Sequence, residues 1–569
     1  MHCVLPVEAL AHDLFQACGG NPAALDRLNT LFGASFTAEQ LRSQLEQRLT
    51  AITGSPGQPI TLANAQLVLA RMYGFESWPR LLQSASQPPA DPRTYPHGLN
   101  PSPPFFRIDW RGNSIEPRPP VTEAGWDVIF SVMQEAGITN LKAAGQMTDE
   151  SLRRLTRLGF VTSLDLEGCR RVTDDGLRHL VDMPQLRSLN LTHCAITGRG
   201  LDVLAQLPEL REFSLCHHNG VSDSALAHLA RCEHIERVNL LGSNSGDGMI
   251  RALAGKMKLR HFKSGNHVTD DGVALLDQLP VFKTWQGGDV RVELMAFEAE
   301  PNLLLLRGPI TGKGMAHLAG LDGLFALNMD DSKLAVTAAG LQRIAELPRL
   351  AWLGFDAKDD TMPVIAAMPH LRMLMCQDTS AGDDGFAALS RSRTLEYIWG
   401  RRCHNLQNRG FRALATMPSL RGLSISCKNV DDAALSALPH FPALREFMPM
   451  DVPDEGFRHV GRCEKLEALW CMYCRDTGDA ATAYITSLST LRTYYAGQTR
   501  ITDHSLQLLS GMPSLERITL WSCSGVTNAG VAALAALPHL RELTLESLPR
   551  VTRDVLPMFP QRIHVSYAT

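Results

Sequence analysis

The chain has 569 residues and a mass of 62.5 kDa, far more than the roughly 150 residues of one ordinary core, so it is either several domains or one repeat array. Apolar residues at 44% and charged residues at 20% exclude the disordered and fibrous classes. Lys plus Arg at 55 against Asp plus Glu at 59 gives −4, with no long run of either sign, which argues against a general nucleic-acid binder. No stretch reaches the roughly 18 uncharged apolar residues of a membrane span.

The first residues, Met1 to Glu8, lack a basic stretch followed by an apolar one, so no secretory leader is expected. Thirteen cysteines, an odd number spread thinly, read as reduced thiols in a cytoplasm. Residues 1–87 are expected to form a separate helical domain. Asn21-Pro22 has the form of a capped helix start with proline at its first position. Gly74 is expected to stop a helix that begins after Thr61, and Phe75 and Trp78 to fold back onto Leu67 and Ala70. The run Thr61 to Leu81 resembles a helical segment found ahead of ankyrin repeats in many bacterial proteins, and the resemblance implies a bacterial source. Leu5 to Leu10 faintly resembles the opening of an F-box, although the residues after it fit the ankyrin-associated segment better.

Residues 88–120 are rich in proline and read as a semi-rigid linker. Phe105, Phe106 and Trp110 within it need a surface to cover them, which predicts docking on the repeat array C-terminal to it. Val121 to Ala136 reads as an amphipathic helix that closes the edge of that array, and Ile563 to Tyr567 as the array's last strand.

Between them one phrase returns. Val161-x-x-Leu164-x-Leu166-x-x-Cys169 leads into Val172-Thr-Asp-Asp-Gly-Leu177-x-x-Leu180 and then Met183-Pro184-x-Leu186, which opens the next copy. Further copies open at Leu210, Ile235, Leu259, Phe282, Leu324, Leu350, Leu371, Leu395, Leu420, Leu444, Leu466, Leu491, Leu515 and Leu540, with a less regular one around Leu303 to Leu306. The period-two leucines suit a short strand. Thr or Ser ahead of Asp and Gly suits a helix cap, the acids favour the positive end of the helix dipole, and the prolines end the helix. Stacked coils of this kind bury one continuous core. The phrase resembles the leucine-rich repeat superfamily, in its cysteine-containing and ribonuclease-inhibitor-like classes. The resemblance implies an α/β right-handed solenoid over residues 121–569, with parallel strands on the concave side and helices on the convex side. Residues Gly287 to Asn302 break the phase.

No cofactor and no metal site is expected. Cys169, Cys194, Cys403, Cys474 and Cys523 recur at the corner after a strand, where a small thiol packs well. Cys471-x-x-Cys474 has redox or half-zinc spacing, yet its members fill a core slot and a corner slot. His217-His218 are neighbours on an extended segment and point to opposite faces. Asp383-Asp384 and Asp431-Asp432 sit at helix starts and read as caps rather than as catalytic pairs. No phosphate loop, nucleophile elbow or zinc-protease motif is present.

The most informative slot lies between the last two leucines of each strand, facing out of the core. It is polar at Asp165, Asn190, Ser214, Asn239 and Lys263, then turns large and apolar at Met375, Trp399, Met448, Trp470 and Tyr495. Met450, Met472 and Trp521 lie two places further along this face, and Trp352 and Tyr397 two places earlier. Such side chains stack to stiffen a sheet or mark a contact surface; the second reading is adopted. Arg372, Arg401, Arg421, Arg445 and Arg492 are expected to form a basic rim. The expected function is a non-enzymatic scaffold that binds a protein or peptide partner on its concave face. Two alternatives are a secreted F-box-like effector that recruits a ubiquitin ligase, and an enzyme with a site near residues 287–302.

Overall fold

Each copy of the phrase folds as one coil. In the computed structural model, Ser163–Asp165 is a strand whose Leu164 and following Leu166 are buried, and the chain turns at the buried Cys169. The hydroxyl of Thr173 then accepts from the Asp175 N–H and starts the short helix Asp174–Leu177, which tightens into a 3-10 turn over Arg178–Asp182. The corner thiols bond between coils: Cys194 donates to the Leu166 carbonyl at 3.1 Å, and Cys474 to that of Pro449 at 3.1 Å.

The acids at the helix starts turn out to serve the neighbouring coil. The Asp149 carboxylate accepts from the Thr173 N–H at 2.8 Å and hydroxyl at 2.7 Å. Asp247 does the same for Thr269, at 2.8 and 2.6 Å, and Asp479 for Thr502, at 2.9 and 2.6 Å. Each rung supplies a charged acceptor to amides at the next helix N-terminus, which have no partner within their own helix. It also explains the glycine of the Asp-Asp-Gly phrase. A Cβ at Gly176 would stand 2.0 Å from the Asp149 carboxylate, and one at Gly272 1.9 Å from that of Asp247.

The described residues are 7–86, 90–288, 290–295, 300–329, 336–472 and 474–569. They fall into two compact units, Met1–Leu210 with Thr519–Ala536 and Leu540–Thr569, and Arg211–Ile518 with Leu537–His539. In the first unit, helices Val7–Cys18, Pro22–Phe32, Ala38–Thr53, Leu62–Met72 and Trp78–Ala85 gather around their own apolar cluster, including Leu10, Leu28, Leu45 and Leu69. Within the stretch read as a linker, Phe106–Asp109 and Ser114–Pro117 form an antiparallel hairpin, whose second strand pairs in parallel with Asn140–Lys142. Parallel pairing continues through Ser163–Asp165 to Ser188–Asn190, and Glu542–Glu546 pairs with His564–Ala568. Phe105 is buried against Tyr73, with ring centroids 4.4 Å apart, whereas Trp110 stays exposed.

The helical module meets both the early coils and the last one. Arg171 donates to the Thr30 carbonyl at 3.1 Å, and Gln146 to that of Phe32 at 3.2 Å. At the other side, the end of helix Leu62–Met72 presents carbonyls without helical partners. Arg118 donates to the Met72 carbonyl at 2.9 Å and to that of Thr569 at 3.1 Å. Arg553 donates to the Tyr73 and Asn100 carbonyls at 2.8 and 3.1 Å and lies over the Phe75 ring at 4.4 Å. Cations at a helix C-terminus also complement its dipole. Gly74, at φ 77°, ends the helix, and its missing side chain makes room for the Tyr567 hydroxyl.

In the second unit, parallel pairing links the strands from Glu212–Ser214 through His261–Lys263, Leu303–Leu305, Trp352–Phe355 and Tyr397–Gly400 to Thr493–Gly497. The copy expected at Phe282 and the irregular one at Leu303 prove to be a single coil. Phe282 is fully buried in the opening slot, but Pro280–Thr284 is helical, and Leu303–Leu305 supplies the strand, pairing with His261–Lys263. The rung across this coil, from Asp270 to Thr311, spans 41 residues, whereas others span 22 to 26. The coils therefore stack directly on either side of this stretch, and the described residues between 285 and 302 are an excursion from the coil.

Candidate functional site

The excursion lies on the concave face of the second unit. Strand pairing aligns Ala326, Trp352, Met373, Tyr397, Gly422 and Glu446 in one row, and Gly354, Met375, Trp399, Ser424 and Met448 in another. Val292 and Leu294 of the excursion are buried against Leu303, Phe325, Trp352, Met373, Met375 and Tyr397, and Trp285, Val290, Trp399 and Trp470 pack around them. Trp285 meets the Phe325 ring edge-on at 5.6 Å.

Hydrogen bonds to main-chain groups hold residues 290–294 of this strap at both ends. Arg372 Nη1 donates to the Val290 carbonyl at 2.9 Å, and the Leu294 N–H donates to Glu446 Oε2 at 3.4 Å. Burial beneath the strap pushes the Glu446 carboxyl up to about 7; the Leu294 N–H works against that shift and Glu293 adds to it. Tyr397 is pushed up to about 12, by burial first and then by Glu446 and Glu396. Further along, His261 Nε2 lies 2.8 Å from the Glu300 carbonyl, and Arg237 lies 3.1 Å from its Nδ1. Burial and then Arg237 bring this imidazole down to about 4, so it is neutral at pH 7.

The expected site residues therefore divide. Trp352, Met375 and Tyr397 face the concave side but are buried under the strap, which corrects the picture of a bare strip. Met448 and Met450 are buried too, with the Met448 sulfur accepting from the Ser424 hydroxyl at 3.2 Å. Trp399, Trp470, Met472 and Tyr495 are half-buried. Trp521 is also half-buried but falls in the first unit, at the end of strand Arg517–Trp521.

The arginines do not form a basic rim. Arg372 pairs with Glu396 at 2.6 Å, and Arg421 with the same glutamate at 3.6 Å; Arg445 pairs with Glu467 and Arg492 with Glu516. Each of these arginines follows its coil's opening leucine and faces a glutamate in the same slot of an adjacent coil, the following one for Arg372, Arg445 and Arg492 and the preceding one for Arg421, so this edge is close to neutral. Arg401 lies elsewhere, exposed in the turn after Tyr397–Gly400.

Sequence reading missed Phe325, Met373, Val292, Leu294 and Glu446. The signal for the strap was available in the doubled spacing between Phe282 and Leu324 and in the alternation Val-Arg-Val-Glu-Leu over 290–294. The suggested enzyme site at 287–302 lies on this strap, except that Asp289 and residues 296–299 fall outside the described residues. The F-box-like stretch Leu5–Leu10 lies partly outside them as well; its described part begins helix Val7–Cys18. Cys471 and Cys474 are both buried, and among the described residues no group of three His, Cys, Asp or Glu is placed to hold a metal ion. Asp383 and Asp384 act separately, the first as a rung to the Gln407 N–H at 2.8 Å and the second as a partner of Arg409.

Residues 160–181 and 183–205 match the family model described as Leucine Rich repeat. No curated protein matches the sequence. Similar solved structures include the Rad7 and Elc1 complex of yeast, at 15% identity over 74% of this chain and 92% of that one with a TM-score of 0.38. The TLR13–ssRNA13 complex is similar at 16% identity over 76% and 66%, with a TM-score of 0.42. A leucine-rich-repeat protein of Leptospira interrogans is similar at 14% over 77% and 98%, with a TM-score of 0.32.

Proposed function

We propose that this chain, a leucine-rich repeat protein, is a non-enzymatic scaffold whose concave face binds a protein or peptide partner. The observation that carries the reading is the run of large apolar side chains on strands where earlier coils place polar ones. Of these, Trp399, Trp470, Met472 and Tyr495 remain half-open to solvent. Tryptophan and tyrosine in such positions supply most of the energy of protein contacts. The arginine–glutamate pairing along the edge favours a protein over a nucleic acid, because paired guanidiniums offer little net field to phosphates. A cytoplasmic setting belongs to the same proposal and rests on the odd number of thinly spread thiols.

The test is affinity capture from the source cell with wild type and with the double substitution Trp399→Ala, Trp470→Ala. Both chains should show the same circular dichroism, and the double variant should lose a protein that the wild type retains. If the double variant unfolds, or retains the same set of proteins, these residues only stiffen the sheet.

A further inference from the structure

Resting on that reading, the strap itself specifies what the partner has to offer. Its side chains alternate as a strand's do: Val290 is half-buried, Arg291 exposed, Val292 buried, Glu293 half-buried and Leu294 buried. The outward Arg291 and Glu293 pair with each other at 2.5 Å, and their effects on the Glu446 carboxyl are of opposite sign. Both polar tethers read the main chain, since Arg372 takes the Val290 carbonyl and Glu446 the Leu294 N–H. Any extended segment carries those two groups. Selectivity is left to the apolar slots: at Gly422 the missing side chain makes room first for the Tyr397 ring, and Leu294 packs beside them, its Cβ 3.4 Å from where a Gly422 Cβ would stand. The stack does not run through the strap, because the Asp270–Thr311 rung joins the coils across it.

We propose that residues 290–294 occupy, within the same chain, the seat of a partner segment, and that the partner is a protein presenting an extended run with apolar side chains at alternate positions, which displaces the strap. The experiment uses the full chain with residues 290–295 replaced by an equal length of Gly and Ser, and a fluorescent peptide carrying Val-Arg-Val-Glu-Leu-Met. Fluorescence anisotropy should show the peptide binding the replaced chain at least about tenfold more tightly than wild type, in which the strap competes. A scrambled peptide that places both valines and the leucine together should bind neither chain. Adding Arg372→Gln to the replaced chain should weaken the peptide by about tenfold, the usual worth of a charged hydrogen bond.

If the replaced chain keeps its circular dichroism and ignores the peptide, or binds it no better than wild type does, the inference falls. If the replaced chain self-associates on a sizing column, the seat belongs to a second copy and the inference falls in that form. Should the replacement fail to fold, Leu294→Ala offers a milder release, with peptide affinity expected between those of the other two chains; affinity equal to wild type overturns the inference. Failure here, combined with a partner still captured through Trp399 and Trp470, would leave the wider reading of the concave face standing. Loss of that capture difference would remove the wider reading whether or not the peptide binds.

Discussion

Two segments that lie outside the coil pattern rest on coils in different ways. In the first unit, the helical module is held to the last coil by buried guanidiniums, Arg118 and Arg553, which donate to the carbonyls of Met72, Tyr73 and Asn100. In the second unit, residues 290–294 of the strap are held by valine and leucine side chains and by hydrogen bonds from Arg372 and to Glu446. A buried charge that satisfies otherwise unpaired carbonyls is hard to exchange, because water cannot follow when it leaves. An apolar side chain in an apolar slot is exchangeable for any other of similar size. The first contact is a fixed joint and the second a replaceable one. The chemistry of the contact, more than its area, separates them.

The comparison breaks most directly at Arg553. Burial lowers this guanidinium to about 10, with Tyr567 and Asp554 acting to hold its charge. Arg553→Ala should leave the Tyr73 and Asn100 carbonyls unpaired and cost about 3 kcal/mol. Urea unfolding followed by tryptophan fluorescence should show the helical module melting ahead of the array. A single transition at the wild-type midpoint would mean that the joint is not held by this side chain.

A second prediction concerns pH and the strap alone. The Glu446 carboxyl is shielded by the strap and faces Glu293 and Arg291 on it, Glu467 on the next coil, and Tyr397. Its proton is held more tightly when the strap is closed than in water. Closure is therefore most favourable below the ordinary carboxylate range and is lost progressively as pH rises through about 7. Between pH 6 and pH 8 the open population should grow on the order of tenfold, if the open form titrates near the ordinary value of about 4.3. Hydrogen exchange at the Leu294 amide, corrected for intrinsic rates, reads this directly. In Glu446→Gln the dependence should vanish. An unchanged slope would place the titrating group elsewhere. The Arg553 joint should show no such slope over the same range, which would sharpen the contrast.

The repeat phrase makes most of the fold legible, because it states period, strand, corner and cap in one line. Three features were not legible. The acids at the helix starts look like caps for their own helix, yet Asp149, Asp247 and Asp479 reach the next coil, and only stacking reveals a contact some 23 residues away. The arginines look like a basic rim until Glu396, Glu467 and Glu516 are placed beside them. The outward apolar slots at Trp352, Met375 and Tyr397 are visible in the sequence, but their cover is not. Residues 290–294 carry a strand's alternation with no sequence-local partner, so their seat depends on where the sheet brings its rows together.

The smallest expected effect tests whether the coils beneath the strap are themselves less firmly stitched. After Asp270, the position that makes rungs elsewhere holds Gly312 and then Ala338. The helix Ala338–Gln342 therefore begins with the hydroxyl of its own Thr337 accepting from the Gly340 N–H at 3.2 Å and with no acid at 312 to act as a rung. A side chain at Gly312 would enter open space, and its φ is not in the left-handed region. Gly312→Asp should restore a carboxylate facing the Thr337 N–H and add about 1 kcal/mol, read as a higher urea midpoint with unchanged slope. Because the new rung lies at a helix start on the convex side, exchange at Leu294 should not change. If the exchange slows together with the added stability, strap and coils open as one, and the contrast between a fixed joint and a replaceable cover fails at its second half.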